Sequence, residues 1–197
     1  MKQNYIDNLH DYQIEEVQHV INQCNMNNYN KTIFIGDSII KKWNNINYIN
    51  CGICGATTET LLLINQEIAN IKPKEIYMLI GTNDFSDHYQ TPFLEVSFNI
   101  YKLIEILQNK IKDVKINIIS VLPIIEDKQN SIMKTNSVIR MLNKELLGLE
   151  KELDNVKYLD IAKYFIDDKG SLKEEYSLDG LHINKEGYLM FEKVLSL

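Results

Sequence analysis

The feature that most narrows the fold of this chain is the alternation of short apolar runs with longer segments of helical spacing. "TIFIG" (32–36) is a buried-strand run ended by glycine, and similar runs follow at "NYIN", "EIYMLIG", "KINIISVLPI" and "VKYLDI". About five strands are predicted, each separated from the next by enough chain for a helix. Parallel neighbours need such crossovers, and crossovers are right-handed, so the pattern predicts an α/β protein: a parallel sheet in a three-layer α/β/α sandwich. The intervening stripes agree. Phe93, Val96, Ile100, Leu103, Leu107 and Ile111 form one apolar face, with Thr91 as N-cap and Pro92 at the first helical position. Ile132, Ile139, Leu142, Leu146, Leu149 and Leu153 form another.

Upstream, Ile6, Leu9, Val17, Val20, Ile21 and Cys24 recur at helical spacing. They predict an extra amphipathic helix within 1–30, packed on a domain spanning 31–197, which could also supply a homodimer contact. No Pro/Gly/Ser-rich linker divides the 197 residues, so the whole reads as one domain. A net charge of −6 with scattered Lys and Arg argues against nucleic acid, whose readers carry a basic face. No stretch approaches the roughly 18 apolar residues of a membrane span, and "MKQNYIDNLHDYQ" lacks a signal-type apolar region. Three cysteines do not resemble a secreted disulfide framework. A cytoplasmic protein with reduced thiols is the expectation.

In open α/β sheets the ligand site lies beyond the carboxyl ends of the strands. Strand one is followed by "GDSII", with Ser38; strand two by "CGICG", with Gly52 and Gly55; strand three by "GTND", with Asn83; and the last strand precedes "YSLDGLHINKEGY", with Asp179 and His182. Each is weak alone: a serine at a helix start is usually a cap, and Asn-Asp or Asp-Gly are ordinary turn formers. Their convergence on one sheet edge is what gives them weight. A serine hydroxyl needs a base within reach, and the base works best when a third group fixes its tautomer, roles that Ser38, His182 and Asp179 fill in that order. Acyl transfer also needs donors for the developing oxyanion, and the N–H of Ser38, the N–H of Gly55 and the amide of Asn83 are the candidates.

The blocks "FIGDSI", "NCGICGATTETLL", "LIGTND", "SVLPI" and "DGLHINKEGY" resemble those of the SGNH (GDSL-type) hydrolases, and more narrowly their platelet-activating-factor acetylhydrolase-like, lysophospholipase-like branch. The resemblance runs from Thr32 to the C-terminus. It implies a flavodoxin-like sandwich, ester hydrolysis without metal or other cofactor, Ser38 as nucleophile, Gly55 and Asn83 as oxyanion donors, and Asp179 with His182 completing the triad. The family handles lipid esters, short acyl esters, acetylated sugars and thioesters. Ile39, Trp43, Phe85, Ile124 and Ile125 are apolar residues near the same edge that could line an acyl pocket. With no long apolar lid segment, a small or short-chain ester is the expected substrate.

Three other readings stay open at this point. Asp37, Asn83, Asp84, Asp179 and His182, joined by His88, could hold a divalent metal for phosphoester hydrolysis. Cys51 and Cys54 form a C-x-x-C where a strand gives way to a helix, the place of a redox dithiol. A flavodoxin-like sandwich could also simply bind an anion at its helix N-termini.

Overall fold

Thr32–Gly36 forms the central strand β1 because its side chains are wanted on both faces: Ile33 and Ile35 enter one core cluster and Phe34 the other. The computed structural model describes Glu16, Asn22 and residues 32–45 and 47–197. Glu16 and Asn22 apart, the helix expected within 1–30 lies outside the described residues. The remaining strands are β2 (Ile49–Gly52), β3 (Glu75–Leu79), β4 (Lys115–Ile119) and β5 (Val156–Leu159). All pair in parallel, in the order β2-β1-β3-β4-β5.

Helices cover both faces. In chain order they are α1 (Ser38–Lys42), α2 (Thr58–Leu63), α3 (Asn65–Asn70), α4 (Phe93–Lys110), α5 (Asn136–Glu152), α6 (Ala162–Phe165) and α7 (Lys185–Leu195). α2 to α5 pack with Ile33, Ile76 and Ile116 on one side, while α1, α6 and α7 pack with Phe34, Leu79 and Ile119 on the other.

Three local expectations are corrected. Strand two begins two residues later than "NYIN" suggests, because its register against β1 runs from Ile33↔Ile49 to Gly36↔Gly52 and carries Cys51 into the core as a small apolar residue. The α4 cap is Pro92, whose carbonyl accepts from Glu95 and Val96; the Thr91 N–H is spent on the Asp84 carbonyl at 2.9 Å. Ile132 does not belong to the α5 stripe. Thr135 caps that helix by accepting from the Val138 N–H, which leaves Ile132 in the preceding loop and 87% exposed.

Strand order reverses around β1, where the chain goes out to β2 and returns to β3 on the other side. The carboxyl ends of β1 and β3 therefore open onto a crevice, the usual ligand position in such sheets. α1, at that crevice, is short but well fastened. Ile39 and Ile40 are buried, each contributing about 1.5–3 kcal/mol. The Asn50 amide donates to the Ile40 and Trp43 carbonyls at 2.6 and 2.9 Å, and its oxygen accepts from the Gly52 N–H. From the other side the Tyr188 hydroxyl donates to the Ile39 carbonyl at 2.7 Å. Gly52 is required by this packing: a Cβ there would lie 2.2 Å from the Lys41 nitrogen.

Candidate active site

β1 ends at Gly36, Asp37 caps α1 by accepting from the Ile39 N–H at 2.9 Å, and Ser38 is therefore the first helical residue. Its hydroxyl lies 2.9 Å from His182 Nε2. His182 Nδ1 lies 2.7 Å from Asp179 Oδ2, so the ring proton sits on Nδ1 and Nε2 is left as acceptor. The turn carrying the pair is built from its own short side chains. Asp179 Oδ1 accepts from the backbone N–H groups of Leu181 and His182, and the Ser177 hydroxyl donates to the His182 carbonyl while accepting from the Gly180 N–H. Burial would raise the Asp179 carboxyl, but the His182 ring and these backbone donors outweigh it and hold it well below the usual carboxylate range. It stays anionic, as orienting an imidazole requires.

The other candidates lie at the same end of the sheet, beyond β2 and β3. Gly55 has φ +69°, a left-handed conformation that suits glycine, in the turn between β2 and α2. The Ile53 N–H donates to the Gly36 carbonyl at 2.9 Å, which ties that turn to the end of β1. Asn83 opens a short 3-10 turn after β3, and its amide donates one hydrogen to the Ala56 carbonyl at 3.0 Å, next door to Gly55. One amide hydrogen remains.

The pocket-lining expectation fares differently. Ile39, Trp43, Phe85 and Ile124 are core residues, only 1–3% exposed, and present almost no surface to a substrate. Trp43 packs edge-on to Phe34 and Phe191 and donates its indole N–H to Glu192. Ile125 does border the triad turn, half-buried, with its N–H on the Gly180 carbonyl. A 650 Å³ groove runs along β5 from Asn155 to Asp160, with Glu75, Lys115 and Leu195 on its walls, and includes none of Ser38, Asn83, Asp179 or His182.

Sequence reading missed several residues here. Asp84, which the sequence offers as a turn former or metal ligand, is buried and takes both donors of Thr58. Lys134, 8% exposed, comes from the loop after β4 with its charge facing Asp37 and Asp87. Ser177 had a legible signal, the short polar spacing of "YSLDG" that makes such turns. Lys134 had none, since only tertiary structure brings that loop onto Asp87, in the turn after β3.

The rival chemistries lose their residues to these bonds. Asp37, Asp84 and Asp179 each hold N–H donors, and among the described residues no three of His, Cys, Asp or Glu gather as metal ligands. Cys51 is fully buried and no disulfide joins it to Cys54. Burial, then the Glu16 carboxylate, pushes the Cys54 thiol up, opposite to what a reactive dithiol needs.

A model of the GDSL-like lipase/acylhydrolase family matches residues 34–190. The chain belongs to that family. This GDSL hydrolase is an enzyme that cleaves carboxylic esters. It is 30% identical over 175 residues to platelet-activating factor acetylhydrolase IB subunit alpha2 of Rattus norvegicus, covering 83% of this chain and 73% of that one. It also matches N-acylneuraminate cytidylyltransferase of Escherichia coli O18:K1:H7, 27% identical over 80% of this chain but 36% of that one. Its fold superposes on a GDSL-like lipase from Bacteroides thetaiotaomicron with a TM-score of 0.75 at 19% identity, covering 91% of this chain and 95% of that one. The lipase/acylhydrolase of Enterococcus faecalis gives 0.68 at 20% identity, over 84% and 93% of the two chains. The family resemblance and the sandwich read from the sequence both hold. Among the described residues no helix of this GDSL hydrolase is long and apolar enough to cross a membrane.

Proposed function

We propose that this hydrolase cleaves small or short-chain carboxylic esters through an acyl-enzyme on Ser38. His182 Nε2 accepts the hydroxyl proton as Oγ attacks the ester carbon, and the Asp179 carboxylate stabilises the imidazolium that results. The carbonyl oxygen, now anionic, is received by the N–H of Ser38, the N–H of Gly55 and the free amide hydrogen of Asn83. Collapse breaks the bond to the leaving alcohol, whose oxygen takes the proton from Nε2. Water repeats the sequence and frees the acid and Ser38. The observation that carries this reading is the unbroken line from Ser38 Oγ to His182 at 2.9 Å and from His182 to Asp179 at 2.7 Å.

Two facts support a short acyl group. The apolar residues nearest Ser38 in sequence are locked into the core, so they build no long acyl channel. The relatives that share 30% of their residues carry the name acetylhydrolase. The unbridged Cys51 and Cys54 suit a reducing, cytoplasmic setting.

The test is p-nitrophenyl ester hydrolysis with acyl chains from two to twelve carbons. Wild type should prefer the shortest chains and incorporate a fluorophosphonate label at Ser38, and Ser38→Ala should lose both turnover and label at nearly unchanged melting temperature. Turnover by Ser38→Ala, or a rate that rises with chain length, would overturn the mechanism or the substrate class respectively.

A further inference from the structure

The oxyanion donors come from separate segments, so their spacing has to be held by something other than the chain between them. Asn83 and Gly55 are brought together by two adjacent links. One is the Asn83 amide on the Ala56 carbonyl. The other is Asp84, whose two oxygens each lie 3.1 Å from the Thr58 nitrogen and whose Oδ1 accepts the Thr58 hydroxyl at 2.6 Å. Thr58 is the first residue of α2, three positions beyond Gly55.

The Asp84 link is not needed to start that helix. Thr57 caps α2 through the Thr60 N–H, and the Thr60 hydroxyl accepts from the Thr57 N–H in return, a complete capping box. Nor is Asp84 cheap to keep. It is 1% exposed, and burial pushes its carboxyl up to about 7 against the pull of the Thr58 donors. Its surroundings brace it further: Asn99 of α4 donates to the Thr58 oxygen at 3.1 Å, and the Asp84 carbonyl holds the Thr91 N–H at 2.9 Å. A costly buried carboxylate, gripping an already capped helix beside the site, has a geometric use. It fixes where the Gly55 turn stands relative to Asn83.

We propose that Asp84 is the positioning residue of the oxyanion hole, holding the Gly55 N–H and the Asn83 amide at the separation that the tetrahedral oxygen requires. This rests on the assignment of Gly55 and Asn83 made above. Asp84 touches no reacting atom and acts through its neighbours.

A double-mutant cycle on the full chain tests it, with p-nitrophenyl acetate as substrate and the melting temperature of every variant recorded. Asp84→Ala should lower kcat by about 10–100-fold at little-changed KM, less than the loss expected for removing a donor outright. In an Asn83→Ala background the same change should cost about threefold or less, because the hole is already broken and coupled residues are non-additive. Asp84→Asn, which keeps an oxygen for Thr58, should restore most of the activity. An equal loss in both backgrounds, or full activity of Asp84→Ala, overturns the proposal. Should Asp84→Ala not fold, Thr58→Val carries the same cycle, and a loss that persists undiminished beside Asn83→Ala overturns it equally. Failure of the underlying site assignment looks different, since Asn83→Ala alone would then leave kcat untouched.

Discussion

At the scale of single residues, the site depends on one carboxylate staying ionised where it is half in contact with water. Asp179 achieves this with three donors on two oxygens. Asp179→Asn would present an amide to His182 Nδ1, favour the tautomer with its proton on Nε2, and leave that nitrogen unable to accept from Ser38. kcat for p-nitrophenyl acetate should fall by about 10³–10⁴ with KM little changed, the loss typical of a wrong tautomer; a fall below tenfold would remove Asp179 from the triad. Ser38 and Asn83, proposed above as nucleophile and oxyanion donor, are candidates from the sequence because each stands just beyond a strand, where the fold class predicts a site; Asp179 and His182 lie about twenty residues past β5, beyond α6, and are candidates through their own Asp-x-x-His spacing. Asp84 could not be given its role that way. An Asn-Asp pair in a turn bonds its own backbone as readily as it reaches another segment, and nothing local distinguishes the two. The lining residues failed for a related reason: sequence proximity to Ser38 puts Ile39 and Trp43 on α1 and at its end, but the helix turns them inward against the sheet.

At the scale of elements, α1 is the piece whose position decides whether Ser38 meets His182. Five residues are far too few for an isolated helix, so tertiary bonds supply the stability that its own hydrogen bonds cannot. Asn50 is the main one, taking carbonyls at the helix C-terminus with one end and the Gly52 N–H with the other. Asn50→Ala removes this partner from the Trp43 carbonyl and the Gly52 N–H and leaves the Ile40 carbonyl with the Trp43 N–H alone, which costs about 1–3 kcal/mol. At about 2–4 °C per kcal/mol for a chain of this size, the melting temperature should drop by about 2–12 °C, and kcat should fall with it as α1 loosens. A drop in melting temperature with kcat untouched would mean that Tyr188 and Asp37 alone hold the serine in place. "GDSII" marks the start of a helix or a turn without deciding between them, and the anchoring of α1 is not legible at all: Asn50 reads as a strand residue, and Gly52, part of a C-x-x-C turn in the sequence, is a glycine because β2 and α1 touch backbone to backbone.

At the scale of the whole molecule, the alternating pattern gives the number of strands and their parallel sense but not which strands are neighbours. The order β2-β1-β3-β4-β5 puts the ends of β1 and β3 side by side, and with them two buried carboxyls, Asp37 and Asp84. Burial pushes Asp37 up to about 6, opposed by the Ile39 N–H and by Lys134, and Asp84 up to about 7, opposed by Thr58 and aided slightly by Glu59. Tyr188, the other titratable group facing Asp37, is itself pushed up by burial and stays neutral throughout this range. A carboxyl whose folded pKa exceeds its unfolded value near 3.8 keeps a proton in the native state that the unfolded chain has released. Its stabilising contribution is present below pH 4 and is lost as pH rises towards 6 for Asp37 and 7 for Asp84. Asp179 has the opposite sign, with stability present above pH 4 and lost only as pH falls below it, so its window does not overlap. The double variant Asp37→Asn/Asp84→Asn keeps an acceptor for Ile39 and Thr58 but cannot ionise. Its melting temperature should match wild type closely near pH 4 and exceed it by at least about 10 °C at pH 8, because each tenfold change in an acidity constant on folding is worth about 1.4 kcal/mol, or about 2–4 °C per kcal/mol. A gap that does not change between pH 4 and 8 would mean that neither carboxylate is strained in the native state. If the gap opens as expected, the stability given up at neutral pH is localised at the ends of β1 and β3, where the acids hold the two segments that carry Ser38 and Asn83.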